Sequence, residues 1–198
     1  NKISELNNDL NVKGIMVQLP IPKNLNKNKI ISQIDPKKDV DGLHPYNLGK
    51  IMNNETPYFY PCTPLACITL LEYYKIDIEK KHIVFVGTGM VNLPLSIMLL
   101  HKKCSLTLCN EFTEDIKSKT NIADILIVGC GQSKLVKNDW IKKDSIIIDI
   151  GIHKNDGKLN GDVDYSDVIE RVKYITPVPG GIGPLTVCML INNLVKYI

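Results

Sequence analysis

Residues 83–94 read IVFVGTGMVNLP, and this stretch decides the fold. Its first four residues are β-branched or aromatic, which predicts a buried strand. The glycines that follow predict a tight turn, and the apolar residues after them predict the start of a helix. A strand, a glycine turn and a helix N-terminus are the place where a Rossmann fold binds a pyrophosphate, because unpaired backbone N–H groups face the anion there.

Four residues are therefore predicted to bind a dinucleotide: Gly87, Thr88, Gly89 and Glu111. Gly87 allows the tight turn, and Gly89 lets the backbone approach the phosphates closely. Glu111 lies 24 positions after Gly87, past the next predicted strand, close to the offset of roughly 20 residues at which an acid meets the ribose hydroxyls. Two alternatives stay open, an ordinary strand-to-helix turn at the glycines and a solvated loop carboxylate at Glu111.

The rest of the chain alternates short β-branched runs with segments of helical period, which predicts an α/β fold with a doubly wound, mostly parallel sheet. Strands are predicted over 14–17, 83–86, 106–108, 125–128, 146–150 and 173–175. Helices are predicted over 27–34, 64–74, 94–101, 113–120, 165–172 and 184–197. A Pro-rich passage over 53–64 is the predicted domain boundary.

Composition excludes several classes of function. The 198 residues carry a net charge of only +3 with scattered lysines, which argues against nucleic-acid binding. No apolar run approaches the roughly 20 residues of a membrane span, and the first ten residues lack a secretory pattern. Six cysteines form no Cys-x-x-Cys pair, so we expect no metal site and a reducing compartment.

Four further segments, in this order, carry a resemblance: GIMVQLPIP at 14–22, KDVDG at 38–42, PCTP at 61–64 and ITPVPGGIGPLT at 175–186. Together with the glycine stretch they resemble the methylenetetrahydrofolate dehydrogenase/cyclohydrolase family. The resemblance implies hydride transfer from methylene-tetrahydrofolate to NADP, the family default, or NAD, followed by hydrolysis of the methenyl ring. It also implies a homodimer in the cytoplasm or an organellar matrix, not a secreted protein.

The resemblance assigns roles to particular residues. Asp41 is expected to accept hydrogen bonds from the amino-pyrimidine edge of the folate, although spacing alone does not decide between Asp39 and Asp41. Gln18 and Asp41 are the expected catalytic residues, and Gln18 is expected to be a polar partner of the family's catalytic lysine and of the substrate. Ile152 is expected to contact the cofactor. Pro179, Gly180 and Gly181 are expected to line the folate cleft. The purely structural alternatives are that Asp41 caps a turn and that the amide of Gln18 bonds to the backbone.

The implied organisation is a partial folate-binding domain over 1–60, a dinucleotide-binding domain over 61–176, and a loop and helix over 177–198 that return to the first domain. The first unit has one predicted strand and is too small to bury a core alone, so an N-terminal part is expected to be missing. With it would go the family's catalytic lysine, in a Tyr-x-x-x-Lys motif, and the chain alone would be inactive. The match from Tyr46 to Lys50 lies in the wrong place.

Several residues depart from the family. Thr88 stands where many members have arginine, and Glu111 would repel a 2′-phosphate unless Lys102 or Lys103 reaches the ribose. Asn92 replaces the third glycine, where its side chain could crowd the pyrophosphate. These departures keep two rivals open, a non-catalytic folate-binding or assembly module and a Rossmann dehydrogenase for another substrate. The PVPGG loop disfavours the second.

Overall fold

A parallel β-sheet forms the centre of the computed structural model, which describes residues 2–155 and 157–196. Its strands are β1 (His82–Val86), β2 (Ser105–Cys109), β3 (Ile125–Val128), β4 (Ile146–Asp149) and β7 (Tyr174–Ile175). They lie in the order β2-β1-β3-β4-β7, and every pair is parallel. A separate antiparallel pair consists of β5 (His153–Asn155) and β6 (Lys158–Asn160).

The helices cover the sheet and build the first 60 residues. They are α1 (Lys2–Asn8), α2 (Lys27–Ile31), α3 (Pro45–Met52), α4 (Cys62–Tyr73), α5 (Asn92–Leu100), α6 (Ile116–Thr120), α7 (Tyr165–Val168) and α8 (Ile182–Val195), with a 3₁₀ turn at Asn138–Trp140. The predicted α/β class with a doubly wound parallel sheet is confirmed.

Both faces of β1 are buried, as its continuous apolar sequence predicts. Ile83 and Phe85 point to one side, where they pack with residues of α4 and α5. Val84 and Val86 point to the other, where they pack with Trp140 and residues of β3 and β4. Burial on both sides holds the carboxyl end of β1 rigidly in place, and the candidate site begins there.

The predicted strand over 14–17 is wrong. Only Ile15 pairs there, through one isolated parallel bridge to Asp39 and a hydrogen bond from its backbone N–H to the carbonyl oxygen of Lys38 (2.6 Å). Helix α3 was not predicted. It begins at Pro45 after the N-cap His44, whose Nδ1 accepts a hydrogen bond from the backbone N–H of Tyr46 (3.0 Å).

Several predicted helix bounds differ from the structure. Helix α6 begins at Ile116 rather than 113, because Thr113 closes a turn with Asn110 through two hydrogen bonds. Helix α8 begins two residues before the predicted 184, and residue 197 lies outside the described residues. The pair β5 and β6 was missed, since its largely polar residues lack the alternation that predicts a strand.

Candidate functional site

The predicted dinucleotide-binding residues line one cavity. Gly87, Thr88, Gly89 and Glu111 surround a space of about 330 Å³ at the carboxyl ends of β1, β2 and β3. The far wall comes from the segment after β3, through Cys130, Gln132 and Leu135. The chain leaves β1 for β2 on one side and later returns to β3 on the other side of β1. Open parallel sheets bind their ligands in the crevice at such a switch point.

The two glycines of this cavity have different reasons to be glycine. Gly87 adopts φ +101°, and a Cβ at that position would overlap the carbonyl oxygen of Gly129. Backbone atoms of Gly129 therefore fill the space beside Gly87, and no side chain fits there. A Cβ at Gly89 would meet nothing within 4 Å, so the loop presents bare backbone to open space. An open cradle at a strand-to-helix turn fits a pyrophosphate.

Asn92 does not crowd this cradle, contrary to the expectation from the sequence. Its side chain is 1% exposed and lies beneath the loop. Its Nδ2 donates to the carbonyl oxygens of Val86 (3.2 Å), Gly87 (2.9 Å) and Gly129 (3.3 Å). The amide therefore ties the end of β1 to the end of β3 and supports the cavity from below.

The cavity carries one charged side chain, that of the exposed Glu111, and no basic residue lines it within the described part of the chain. Neither Lys102 nor Lys103 lines this cavity. Nζ of Lys102 donates to Oε1 of Glu72 (2.9 Å), and that pair lines a different cavity, between α3, α4 and α5. The charge of Glu111 is thus not balanced by a lysine at this cavity.

A second cluster surrounds Asp41. The buried Cys62, at the start of α4, contacts the half-buried Asp41 carboxyl group and donates from Sγ to the carbonyl oxygen of Val40 (3.4 Å). Asn193 of α8 donates from Nδ2 to the carbonyl oxygens of Val40 (3.0 Å) and Tyr60 (2.9 Å). Three segments that are distant in sequence thus meet at Asp41.

Burial is the main cause of the electrostatics of this cluster. It raises the pKa of Asp41 to about 6, against the lowering effect of the Cys62 thiol. Burial and the neighbouring Asp41 raise the pKa of Cys62 to about 12, so the thiol stays neutral. With a pKa of about 6, Asp41 accepts hydrogen bonds as a carboxylate at neutral pH and gains a proton to donate below pH 6.

Asp39 and Asp41 have different surroundings. Asp39 is 1% exposed, and its Oδ2 accepts from the backbone N–H of His44 (2.8 Å) and from Nδ2 of Asn47 (2.9 Å). Its carboxylate organises the start of α3. Of the two acids that the sequence left undecided, Asp41 is the less buried and holds the cluster with Cys62.

The other predicted residues lie at greater exposure. Gln18 is exposed and donates from Nε2 to the carbonyl oxygen of Leu19 (3.0 Å), as its alternative interpretation expected. Pro179 and Gly180 are exposed in the turn before α8. Gly181 is half-buried there, where a Cβ would press on Pro177.

Ile152 does not line the dinucleotide cavity. It is 61% exposed, and its Cδ1 lies 3.7 Å from the position that a Cβ of Gly183 would occupy. It thus stands between the carboxyl end of β4 and the start of α8.

Sequence reasoning missed two buried carboxylates behind the cavity. Asp149, at the end of β4, accepts from the backbone N–H groups of Gly151, Asp162 and Val163, and burial raises its pKa to about 6. Asp162 accepts from the segment after β3. Their only sequence signal is the pairing of each acid with a nearby glycine, which does not predict burial.

Two features are absent from the described residues, 2–155 and 157–196. No helix there is long and apolar enough to cross a membrane. No group of three or more His, Cys, Asp or Glu side chains there is placed to hold a metal ion.

Comparison with known proteins gives consistent matches along the chain. Residues 61–198 match the family described as tetrahydrofolate dehydrogenase/cyclohydrolase, NAD(P)-binding domain, and residues 1–41 match its catalytic domain. The bifunctional protein FolD of Legionella pneumophila (strain Corby) is 42% identical over 193 residues, which cover 96% of this chain and 68% of that protein.

Two solved structures are similar throughout. The bifunctional FolD methylenetetrahydrofolate dehydrogenase/cyclohydrolase of Campylobacter jejuni is 41% identical with a TM-score of 0.96, over 99% of this chain and 70% of that one. The corresponding enzyme of Trypanosoma brucei, solved with NADP cofactor and an inhibitor, is 34% identical with a TM-score of 0.92, over 99% and 70%.

Proposed function

Since the chain belongs to the tetrahydrofolate dehydrogenase/cyclohydrolase family, we propose that its two clusters divide the family's work between dinucleotide and folate. The activity is that of a methylenetetrahydrofolate dehydrogenase and methenyltetrahydrofolate cyclohydrolase, which interconverts methylene-, methenyl- and formyl-tetrahydrofolate in one-carbon metabolism. Its cofactor is NADP or NAD. The open cradle of Gly87 and Gly89, inside the NAD(P)-binding match, is the observation that carries the division.

On the dinucleotide side, the chain binds and orients. The turn from Gly87 to Gly89 offers backbone N–H groups to the pyrophosphate, and Glu111 accepts hydrogen bonds from ribose hydroxyls. Ile152 lies outside this cavity, beside the start of α8, so its proposed cofactor contact is with a part of the dinucleotide beyond the cavity. When bound, the nicotinamide supplies the hydride acceptor.

On the folate side, Asp41 holds the pterin by accepting two hydrogen bonds from its amino-pyrimidine edge. The contact of Asp41 with Cys62, together with the hydrogen bonds of Asn193 to the backbone around it, supports this role. Gln18 contributes a polar contact to the substrate. Pro179, Gly180 and Gly181 line the cleft, in the loop that leads into α8.

The organisation and partners of the chain are further parts of the proposal. We divide it into a folate-binding part over 1–60, a dinucleotide-binding part over 61–176, and a returning loop and helix over 177–198. The hydrogen bonds from Asn193 to Val40 and Tyr60 support the return. A homodimer in the cytoplasm or an organellar matrix follows from the family resemblance, and sedimentation of the purified protein would test the dimer.

Titration calorimetry tests the division directly. We expect the purified chain to bind a dinucleotide and a folate analogue at separate sites, so that saturation with one leaves the stoichiometry of the other unchanged. A folded chain that binds no dinucleotide, or two ligands that exclude each other, would overturn the proposal.

Folate binding is expected to depend on pH through Asp41. Because burial raises its pKa to about 6, the carboxylate form that accepts both hydrogen bonds is lost as pH falls below 6. The dissociation constant of a folate analogue should then rise by up to about tenfold per pH unit. Calorimetry between pH 5 and 7.5 measures this, with Asp41→Asn as the control whose profile lacks the break. A wild-type profile without a break between pH 5 and 7 contradicts the role.

Cofactor choice is expected to turn on Glu111. Its carboxylate disfavours a 2′-phosphate, so the enzyme should use NAD at least as well as NADP, and Glu111→Ser should shift the preference toward NADP by about tenfold, or roughly 1.4 kcal/mol. Dissociation constants for both dinucleotides measure the shift. Glu114→Ser removes a charge from the same loop outside the cavity and serves as the control. A strong wild-type preference for NADP would show that Glu111 does not face the ribose.

A further inference from the structure

Asp162 joins two loops behind the dinucleotide cavity. Its carboxylate is fully buried at 0% exposure. Oδ2 accepts from the backbone N–H groups of Cys130 (2.6 Å) and Gly131 (3.0 Å), which follow β3. Oδ1 contacts Nε2 of His153 (2.6 Å), which begins β5. A buried carboxylate with this many partners fixes each of them strongly.

The segment held by Asp162 is the far wall of the cavity. Cys130 and Gln132 line the cavity, and the backbone N–H groups at 130 and 131 are the ones that Asp162 binds. Behind this segment, Lys134 and Val136 donate from their backbone N–H groups to the carbonyl oxygens of Gly161 (3.0 Å) and Asp162 (3.0 Å). Hydrogen bonds to residues 161 and 162 therefore hold the wall in place.

A second carboxylate places Asp162 itself. Oδ1 of Asp149 accepts from the backbone N–H of Asp162 (3.0 Å) and from that of Gly151 (2.9 Å), next to Ile152. A Cβ at Gly151 would overlap the Asp162 carboxylate, so the carboxylate packs directly against the backbone of Gly151. The carboxyl ends of β3 and β4 are thus connected through two buried acids.

We propose that Asp162 is a positioning residue for the dinucleotide, setting the distance between the glycine turn and the wall at Cys130 through its bonds to that wall and to His153. The inference rests on the proposed function of this cavity. It goes further by assigning cofactor affinity to a residue that does not touch the cofactor.

Asp162→Asn tests the inference because an amide cannot replace both carboxylate oxygens. If its NH₂ group faces the two backbone N–H donors, both of those bonds are lost. If it faces His153, a bond survives only when the Nε2 of that ring is the acceptor, and the negative charge that strengthened all three bonds is gone in either orientation. We expect the dissociation constant for NAD to rise by about tenfold or more, with that for a folate analogue within about twofold of wild type. Amide exchange at Cys130 and Gly131, followed by NMR without any ligand, should accelerate.

The matched control is Asp164→Asn, which removes a charge two residues away. There the side chain accepts from Oγ of Ser166 (2.9 Å), a bond that an amide oxygen can keep, and pairs loosely with Lys134 (3.8 Å). It should leave both dissociation constants unchanged. If Asp162→Asn does not fold, His153→Leu removes the outer arm alone, and His153→Gln, which keeps a donor, should restore NAD binding.

The possible outcomes separate clearly. Unchanged NAD binding in folded Asp162→Asn or in His153→Leu overturns the positioning role, and so does an equal loss of both ligands, which would indicate a general structural role. Failure of the wild-type chain to bind either NAD or NADP overturns the proposed function and the inference with it. A loss of dinucleotide affinity that is seen in the variants, with wild-type binding and folate affinity intact, supports the positioning role of Asp162.

Discussion

Asp41→Ala is expected to weaken the binding of a folate analogue by about 1.5 to 3 kcal/mol, the range for hydrogen bonds to a charged group. The substitution removes the acceptor proposed for the amino-pyrimidine edge and leaves the surrounding backbone bonds of Asn193 intact. Titration calorimetry with the purified protein measures the change. An unchanged dissociation constant would remove Asp41 from the folate site.

Asp39→Ala is the informative comparison, since it lies two residues away and has a different set of partners. It strips the acceptor from the backbone N–H of His44 and from the amide of Asn47, both at α3. Leaving buried donors unpaired costs about 1 to 3 kcal/mol of folding stability. We expect a lower melting temperature with nearly unchanged folate affinity, the reverse of Asp41→Ala.

Asn92→Asp is expected to lower the free energy of unfolding by about 3 to 5 kcal/mol at pH 7, the cost of an uncompensated buried charge. The three carbonyl oxygens that now receive the amide would face a carboxylate, and two negative partners at hydrogen-bonding distance repel. Chemical denaturation followed by the fluorescence of Trp140 measures the loss. A loss below about 1 kcal/mol would mean that the loop relaxes around the new group.

The pH dependence of this variant has a definite sign. Burial raises the folded-state pKa of the introduced carboxyl above its unfolded value, so the destabilisation should shrink at acid pH and grow as pH rises through the folded pKa. Asn121→Asp is the matched control. Its Nδ2 also donates to two carbonyl oxygens, of Lys117 and Asp139, but at an accessible position, where water can solvate the charge.

The sheet was largely predictable from the sequence, and the reason is visible in β1 and β3. Both are short apolar runs buried on both faces, with glycines after them, and the predicted β3 has the observed bounds. The run over 14–17 has the same apolar look but finds only a single bridge, to Asp39. Local sequence predicts that a segment is extended. It does not predict whether another strand lies beside that segment.

The site was predictable where backbone geometry demands a residue type. The cradle of Gly87 and Gly89 follows from positive φ and open space, which the glycine pattern announces. The roles of Asp162 and Asn193 were not predictable, because the hydrogen-bond partners of their side chains lie at least 31 and 131 positions away, with His153 as the exception. The sequence also did not predict that the Asn92 side chain points beneath the loop, since its three acceptors lie at the ends of two different strands.

The hydrogen bonds of Asn193 reach back 153 residues to Val40 and 133 to Tyr60. During synthesis, the DVDG loop leaves the ribosome long before the helix that completes its surroundings. Domains fold as units from the N-terminal end, so the dinucleotide part has its whole sheet before α8 emerges. The cluster around Asp41 is therefore assembled last, and a nascent chain released a few residues early would carry a finished glycine cradle beside an unfinished version of the proposed folate site.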